Sequence, residues 1–225
     1  MRLQVLGKGA FSRVRVELNP GETFISEAGK MVRQSAGIDM DVTTKSRGKG
    51  GLLGAMKRLV GGDSFFLATY RARGTGEVVL APDLIGEVAV LQLDGGSAWM
   101  CSGGSFVAQG PEIGIEARWQ GAKGLFSGES LFFLEATGRG PIVVSAFGAV
   151  REIAVDGEYI VDTGHVVAFE NSLQYDITKA GSSWLHSFLA GEGLVMKFRG
   201  HGRLVVQSHN PTAFGRFLGP KLPPR

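Results

Sequence analysis

Apolar and polar residues alternate in many short stretches of the chain. In one stretch Ile38, Met40 and Val42 alternate with two aspartates. A period of two residues is typical of a β-strand with one buried face, because successive side chains point to opposite faces. Turn-forming glycines follow several such stretches, as at Asp94-Gly95-Gly96 and Asp156-Gly157, and predict tight hairpin turns. The pattern as a whole predicts an all-β protein.

The same order of strands and glycines occurs three times. The clearest landmark is a glycine and an acidic residue followed by a small residue and two apolar residues, recurring about every 65 residues. The glycines and acids of the three landmarks are Gly62 and Asp63, Gly128 and Glu129, and Gly191 and Glu192. Each landmark precedes a Gly-x-Gly segment and an apolar strand. We therefore predict three fused copies of one antiparallel β-unit, in which these six residues have a structural role.

Three such copies predict one compact unit over residues 1–225. The repeats span about 10–85, 86–150 and 151–210, and a tail follows at 211–225. A lone copy would expose strand edges and half of an apolar face, so the copies are expected to pack together in a pseudo-threefold arrangement. A second chain would cover any edge that stays open, and we therefore expect a homo-oligomer.

Composition narrows the class of protein. Glycine contributes 35 of the 225 residues, about twice the usual share, which favours many tight turns. Cys101 is the only cysteine, so an intramolecular disulfide and a thiolate zinc site are excluded, and we interpret this residue as buried packing. No stretch reaches the roughly 18 apolar residues of a spanning helix, and the amino end lacks the apolar core of a signal peptide. We expect a cytoplasmic protein that is at most peripheral to a membrane.

Charge is unevenly distributed behind the net value of +3. Residues 1–76 hold 13 basic and 6 acidic side chains, residues 77–155 hold 4 and 9, and residues 156–225 hold 7 and 6. A basic first third beside an acidic middle third favours head-to-tail assembly, or attraction of polyanions to one side of the molecule.

The most basic stretch precedes the first landmark. Residues 45–58 contain five basic and no acidic side chains, together with apolar residues at near-helical spacing. Positive charge beside an apolar stripe suits contact with an anionic bilayer. The residues predicted to contact a membrane or a partner are Lys45, Arg47, Lys49, Leu52, Leu53, Met56, Lys57 and Arg58. In the alternative interpretation the stripe packs on its own β-unit and the charges solvate it.

Several of these segments resemble one protein family. Residues 50–59 with the first landmark, residues 191–195, and Gln207-Ser208-His209-Asn210 are similar to the hallmarks of the altered-inheritance-of-mitochondria protein twenty-four family. The resemblance covers nearly the whole chain and implies a bacterial-type member with a fold like that of the tryptophan RNA-binding attenuation protein (TRAP). Such a fold has three antiparallel units of double-stranded β-helix type. The resemblance implies no catalytic residues, and a mitochondrial branch of the family is linked to membrane organisation.

Patterns that mark catalytic or metal sites are incomplete. Gly48-Lys49 is followed by Gly50 instead of serine or threonine, which argues against a phosphate-binding loop. The histidines are His165, His186, His201 and His209, all in the third copy and without a His-x-His pair. Asp39 and Asp41 are interpreted as the outward members of an alternating strand. We predict no catalytic residue, no metal site and no cofactor, and leave enzymatic activity open with the balance against it.

Three functions remain in competition. The leading hypothesis is a non-enzymatic oligomeric scaffold that assists the organisation of a membrane or a membrane-bound assembly. A nucleic-acid-binding protein is the first alternative, suggested by the implied kinship with an RNA-binding ring and by the basic first third. The second alternative is a small-molecule binder or an enzyme with its site between repeats.

Overall fold

The fold is described by a computed structural model for residues 1–7, 9–43, 66–119, 132–179 and 194–223. Regular structure in these ranges is almost entirely β-strand, and the paired strands run antiparallel. The predicted all-β class is confirmed. The TRAP-like double-stranded β-helix type, the pseudo-threefold arrangement and the domain bounds stay predictions.

The first unit consists of six strands that follow an additional strand, β1 (Arg2–Leu6). The six strands are β2 (Arg13–Leu18), β3 (Thr23–Glu27), β4 (Met31–Gln34), β5 (Ile38–Thr43), β6 (Leu67–Ala72) and β7 (Gly76–Leu80). β2 and β4 flank β7, whereas β3 and β5 flank β6. The unit therefore has two three-stranded halves, and β1 extends one of them beside β2.

The second unit has the same pairing with fewer strands. Its strands are β8 (Val88–Asp94), β9 (Trp99–Ser102), β10 (Phe106–Gln109), β11 (Ile113–Trp119) and β12 (Phe132–Ser145). β8 and β10 flank the carboxyl-terminal half of β12, and β9 and β11 flank its amino-terminal half. The single strand β12 thus takes the place of both β6 and β7.

The third unit repeats this arrangement with two long strands. Its strands are β13 (Val150–Asp162), β14 (Val166–Glu170), β15 (Gln174–Lys179) and β16 (Leu194–Gln207), and a short 3₁₀ turn (Thr163–His165) precedes β14. The first half of β13 and β14 flank the second half of β16. The second half of β13 and β15 flank the first half of β16. Two three-stranded halves with one common pairing pattern therefore occur in all three units.

One predicted turn is wrong. β13 continues through Asp156-Gly157 without a turn and pairs with β16 along its whole length. Gly157 has a φ of 97°, which residues with a side chain rarely adopt, and this glycine lets the strand bend from one half of the unit to the other. The turn predicted at Asp94-Gly95-Gly96 does separate two strands.

The alternation predicted for β5 is only partly matched by burial. Ile38 is buried, but Met40 and Val42 are exposed. Within the described part of the chain, β5 pairs with β6 alone and forms the end of its sheet.

Neighbouring units are joined by strand pairing. β10 of the second unit pairs with β3 of the first, with Ala108 opposite Ser26. β14 of the third unit pairs with β9 of the second, with Ala168 opposite Cys101. Each joint thus extends the sheet of one unit into the sheet of the next.

Three hydrophobic clusters form the core, each centred on one unit and including buried residues of a neighbouring unit. The largest fully buried side chains include Phe24 in the first cluster, Trp99 in the second and Phe198 in the third. Full burial of a large apolar side chain contributes roughly 1.5–3 kcal/mol, so each unit stabilises itself as well as its neighbour.

The three units meet near the backbone of Gly86. This residue forms isolated bridges with Phe11 on one side and with Gly148 on the other. A Cβ atom added to Gly86 would lie 1.9 Å from the carbonyl oxygen of Ala146. Only glycine permits so close an approach of two backbones. This contact holds together the segments that precede the first strands of the three units.

The chain ends in a short helix, α1 (Pro211–Leu218), and a 3₁₀ turn (Gly219–Lys221). The Asn210 side chain accepts hydrogen bonds from the backbone N–H groups of Thr212 and Ala213, at 2.9 and 3.1 Å. Asparagine before the helix and proline at its first position are a favourable start, because both suit the free N–H groups of the first turn. Residues 211–221 of the predicted tail thus form a helix and a 3₁₀ turn.

Candidate functional site

The predicted membrane or partner contacts, Lys45, Arg47, Lys49, Leu52, Leu53, Met56, Lys57 and Arg58, lie outside the described residues. The landmark residues Gly62, Asp63, Gly128, Glu129, Gly191 and Glu192 also lie outside them. Both sets stay predictions. The described strands show where the connections that contain these residues begin and end.

Three long connections leave the units at equivalent points. The first runs from the end of β5 to the start of β6, where Thr43 lies opposite Leu67. The second and third connect β11 to β12 and β15 to β16, at equally paired strand ends. The basic stretch therefore belongs to a connection that each unit makes at the same place.

Five exposed apolar side chains and the half-buried Phe147 lie near the place where the three units meet. We name this surface the junction patch, and its members are Phe11, Leu84, Ile85, Phe147, Phe214 and Phe217. Phe11 is 73% exposed and Phe217 is 65% exposed. The backbone carbonyl of Ile85 accepts a hydrogen bond from Gly148, and the rings of Phe147 and Phe214 lie 5.2 Å apart. Exposed apolar side chains near one meeting point favour contact with other molecules.

Two basic side chains lie beside Phe214 and Phe217, one on α1 and one in the 3₁₀ turn that follows it. Arg216 lies in the last turn of the helix, and the ammonium group of Lys221 lies 4.8 Å from the centre of the Phe217 ring. The chain has no acidic residue from position 193 to its end. The helix therefore presents apolar and positively charged groups without a negative one.

A cleft of about 440 Å³ lies between the second unit, the third unit and the start of α1. Its polar side chains are engaged in holding these parts together. Gln207 accepts a hydrogen bond from the Phe147 N–H at 2.7 Å and donates one to the Gly164 carbonyl at 2.8 Å. Ser102 and Ser105 donate to backbone carbonyls of β14, at 2.6 and 2.9 Å. Because these side chains already form hydrogen bonds within the protein, they are poorly available to bind a ligand.

The described histidines have separate partners. His165 Nδ1 lies 2.8 Å from the Gln207 carbonyl oxygen, and His209 Nδ1 lies 2.8 Å from Ser208 Oγ. His201 pairs with Asp156 at 2.8 Å on an exposed stretch of β16 and β13. His186 lies outside the described residues. Among the residues that are described, no group of three or more potential ligands is placed to hold a metal ion.

Cys101 and Asp39 occupy ordinary structural environments. Burial raises the pKa of the Cys101 thiol to about 12, and the residue packs in the second hydrophobic cluster. A thiol in such surroundings is a poor nucleophile, because the thiolate is the reactive form. Asp39 on β5 forms a salt bridge at 2.9 Å with Arg73, which directly follows β6.

A cluster of charged groups around the buried Lys30 was not predicted from the sequence. Lys30, in the turn between β3 and β4, contacts Glu27 at 3.2 Å and also Asp83. Burial works against the charge of Lys30, but its hydrogen bonds and charge interactions with Asp83 and Glu27 raise its pKa. Burial raises the pKa of Glu27. Asp83 is far along the chain from Lys30, so no local pattern announces the contact.

No helix in the described ranges is long and apolar enough to cross a membrane. The helix α1 has eight residues, none of which is buried.

Comparisons with known proteins identify relatives along the full chain. The family model described as "Mitochondrial biogenesis AIM24" matches residues 3–209. An uncharacterised protein of Streptococcus pyogenes serotype M6 is 31% identical over 229 residues, which cover 99% of this chain and 92% of the relative. A crystal structure of a protein from Streptococcus pyogenes matches with a TM-score of 0.80 and 30% identity, covering 98% of this chain and 99% of the other. The family resemblance is thereby confirmed, and the chain belongs to the mitochondrial biogenesis AIM24 family.

Proposed function

We propose that the protein is a non-enzymatic oligomeric scaffold that binds an anionic membrane surface through the junction patch. The single observation that carries this proposal is the contact between an exposed aromatic helix and the meeting point of the three units, where Phe147 packs on Phe214. The scaffold itself is proposed to be a TRAP-like array of double-stranded β-helix units, a view supported by the common pairing pattern of the three units.

The composition of the patch favours a lipid surface. Aromatic side chains such as Phe214 and Phe217 suit the boundary between headgroups and acyl chains. Arg216 and Lys221 stand beside them, and each basic residue near an anionic bilayer contributes about 1 kcal/mol. The basic connection at residues 45–58 would add to this attraction if it reaches the same surface.

Affinity for the membrane would come mainly from assembly. A few exposed rings and two to seven charges give weak binding for one chain once the loss of translational freedom is included. Several patches carried by one oligomer bind together with a much higher apparent affinity. An oligomeric state is thus part of the proposed function.

The polar groups of the cleft support a structural role. Gln207, Ser102 and Ser105 already bond to backbone groups of neighbouring segments. A catalytic acid, base or nucleophile needs a free position toward a substrate. The observed bonds instead stiffen the connection between the second unit and the third.

Co-sedimentation with vesicles tests the proposal. Vesicles with about one third phosphatidylserine should pellet the wild-type protein, whereas pure phosphatidylcholine vesicles should pellet much less. Phe217→Glu should reduce pelleting at least fivefold, because it places a negative charge in the patch. Met40→Glu is the matched control, since Met40 is also an exposed apolar residue but lies on β5.

A second variant separates the contributions of the patch and the basic connection. Changing Lys45, Arg47, Lys49, Lys57 and Arg58 together to Glu should weaken binding further if both surfaces meet the membrane. Equal pelleting of wild type and Phe217→Glu, or no pelleting of either, would contradict the proposal. Tighter binding to oligonucleotides than to vesicles, with a strong salt dependence, would favour the nucleic-acid alternative instead.

A further inference from the structure

The joints between units have two complementary components. One is the bulged strand, namely β4, β10 or β14, each of which shifts register by one residue against its neighbour. The other is the receiving strand, namely β3, β9 or residues 157–162 of β13, each flanking the first half of a long strand or its equivalent. In both joints the bulged strand of one unit pairs with the receiving strand of the unit before it.

One member of each type is left over at the ends of the chain. The first unit has the bulged strand β4, which pairs with β7 alone among the described strands. The third unit has the receiving strand 157–162, which pairs with β16 alone among them. Two joints use two of the three bulged strands and two of the three receiving strands. The two remaining edges are of opposite type and therefore fit each other.

Apolar side chains are exposed at these edges and buried at the joints. Val32 of β4 is 56% exposed, and Ile160 and Tyr159 of β13 are 54% and 41% exposed. The residues at the same positions of the joints, including Val107, Val167, Met100 and Trp99, are buried. A strand edge with exposed apolar side chains favours pairing with another strand.

The charged side chains of the two edges are already paired within the chain. Arg33 of β4 pairs with Glu77, and Glu158 of β13 pairs with Lys197 and Arg199. Recognition between the edges therefore depends on backbone pairing and on contact between the exposed apolar side chains.

We propose that β4 of one chain pairs antiparallel with residues 157–162 of a second copy of the chain. The result is a continuous sheet that runs from β15, β16 and β13 of one copy into β4, β7, β2 and β1 of the next. The interface is heterologous, so it produces a ring when the rotation between copies closes and a filament when it does not.

The joints also specify the register of the new pairing. At the joints Ala108 lies opposite Ser26 and Ala168 lies opposite Cys101. Arg33 is the residue of β4 at the position of these alanines, immediately after the bulge. Within its own unit Ser26 pairs with Ala68, Cys101 pairs with Leu134, and Val161 pairs with Met196. Ala68, Leu134 and Met196 occupy equivalent positions in the three units. Val161 is therefore the counterpart of Ser26 and Cys101. Arg33 should therefore lie opposite Val161 of the partner, and Gln34 opposite Ile160.

This inference deepens the oligomeric part of the proposed function and rests on it. Its test uses the full-length protein in solution without any membrane. Failure of vesicle binding and failure of chain association are therefore separate results.

Disulfide trapping between two single variants tests the pairing and its register. Gln34→Cys and Ile160→Cys proteins are oxidised separately and as an equimolar mixture, and covalent dimers are measured under non-reducing conditions. The mixture should give at least fivefold more dimer than either variant alone, because only unlike edges pair. The native Cys101 is buried and should contribute no background.

Each other outcome overturns the inference. Equal trapping by one variant alone would mean that like edges meet. No trapping in the mixture would mean that these edges do not pair in this register. A third protein carries both Gln34→Cys and Ile160→Cys, and a disulfide within its single chain, without dimers, would mean that the chain closes on itself.

Sedimentation velocity provides an independent readout. Wild-type protein should sediment as an assembly, and Ile160→Lys should shift it to the monomer. Val42→Lys is the matched control, because Val42 is also a β-branched apolar residue of similar exposure, 51%, and lies on β5, outside both edges and outside the junction patch. Circular dichroism checks that both variants stay folded. Assembly that survives Ile160→Lys would contradict the inference.

Discussion

Gln207 holds the backbone of Phe147 through a hydrogen bond of 2.7 Å from the Phe147 N–H to Oε1. The other end of the same amide donates to the carbonyl of Gly164. One side chain near the end of β16 thus connects the segment that links the second and third units to the turn before β14. The segment from Gln207 to Asn210, which resembles a hallmark of the family, therefore has a structural role in joining these parts.

Replacing Gln207 should therefore weaken the whole fold. Gln207→Ala leaves two partly buried backbone groups without their partner, and we expect a loss of about 2 kcal/mol in the free energy of unfolding. Urea denaturation followed by circular dichroism measures it. The control Gln4→Ala, at an exposed position on β1, should change stability by less than about 0.5 kcal/mol. Equal effects of the two variants would contradict the assigned role.

Gly86→Ala tests the close approach at the meeting point of the units. The added methyl group would collide with the backbone of Ala146, so we expect a loss of at least about 2 kcal/mol or a failure to fold. Gly215→Ala on α1 is the control, because a Cβ there meets no atom within 4 Å and alanine favours helix. A thermal midpoint for Gly86→Ala equal to that of wild type would show that the backbones can separate at no cost.

The thiol of Cys101 should react very slowly with thiol reagents in the folded protein. With its pKa raised to about 12, roughly one thiol in ten thousand is ionised at pH 8 even before access is considered. Reaction with a chromogenic disulfide reagent should take hours in buffer and minutes in denaturing urea. Rapid labelling in buffer would mean that the second cluster opens readily.

Lys30→Met should destabilise the fold, because the Glu27 carboxylate is partly buried. Removal of the cation leaves a partly buried acid without its main partner, and we expect a loss of about 2 kcal/mol at pH 7. Urea denaturation at pH 7 and at pH 4.5 measures the effect. The double variant Lys30→Met with Glu27→Gln should recover most of the loss.

The sign of the pH dependence follows from the raised pKa of Glu27. The folded protein keeps the proton at a pH where the unfolded chain has lost it, so the stabilising contribution is present below the unfolded pKa and is lost as the pH rises through the folded pKa. Without Lys30 the pKa of Glu27 rises further. The deficit of Lys30→Met should therefore shrink from pH 7 to pH 4.5, and a deficit that is constant with pH would contradict this explanation.

The alternation of residues predicted strands well, because it reports local burial. It could not tell a turn from a bend at Asp156-Gly157, since glycine permits both and the choice depends on the partner strand β16. It also could not show that Met40 and Val42 are exposed, because the neighbours of β5 come from distant parts of the chain.

The candidate site was harder to predict than the fold. The basic stretch at residues 45–58 was visible in the sequence, but the junction patch was not. Phe11, Leu84 and Phe214 belong to three separate segments that meet only through the backbone bridges at Gly86 and the packing of α1. The free edges of β4 and β13 were likewise hidden, because only the pairing of the other strands shows which edges remain.

Hydrogen–deuterium exchange with and without anionic vesicles tests the membrane contact most directly. Backbone amides at the α1 helix (Pro211–Leu218) should exchange at least fivefold more slowly when vesicles are present, and amides of the buried strand β12 should not change. Bound protein with unaltered exchange at α1 would contradict the proposal that the junction patch meets the membrane.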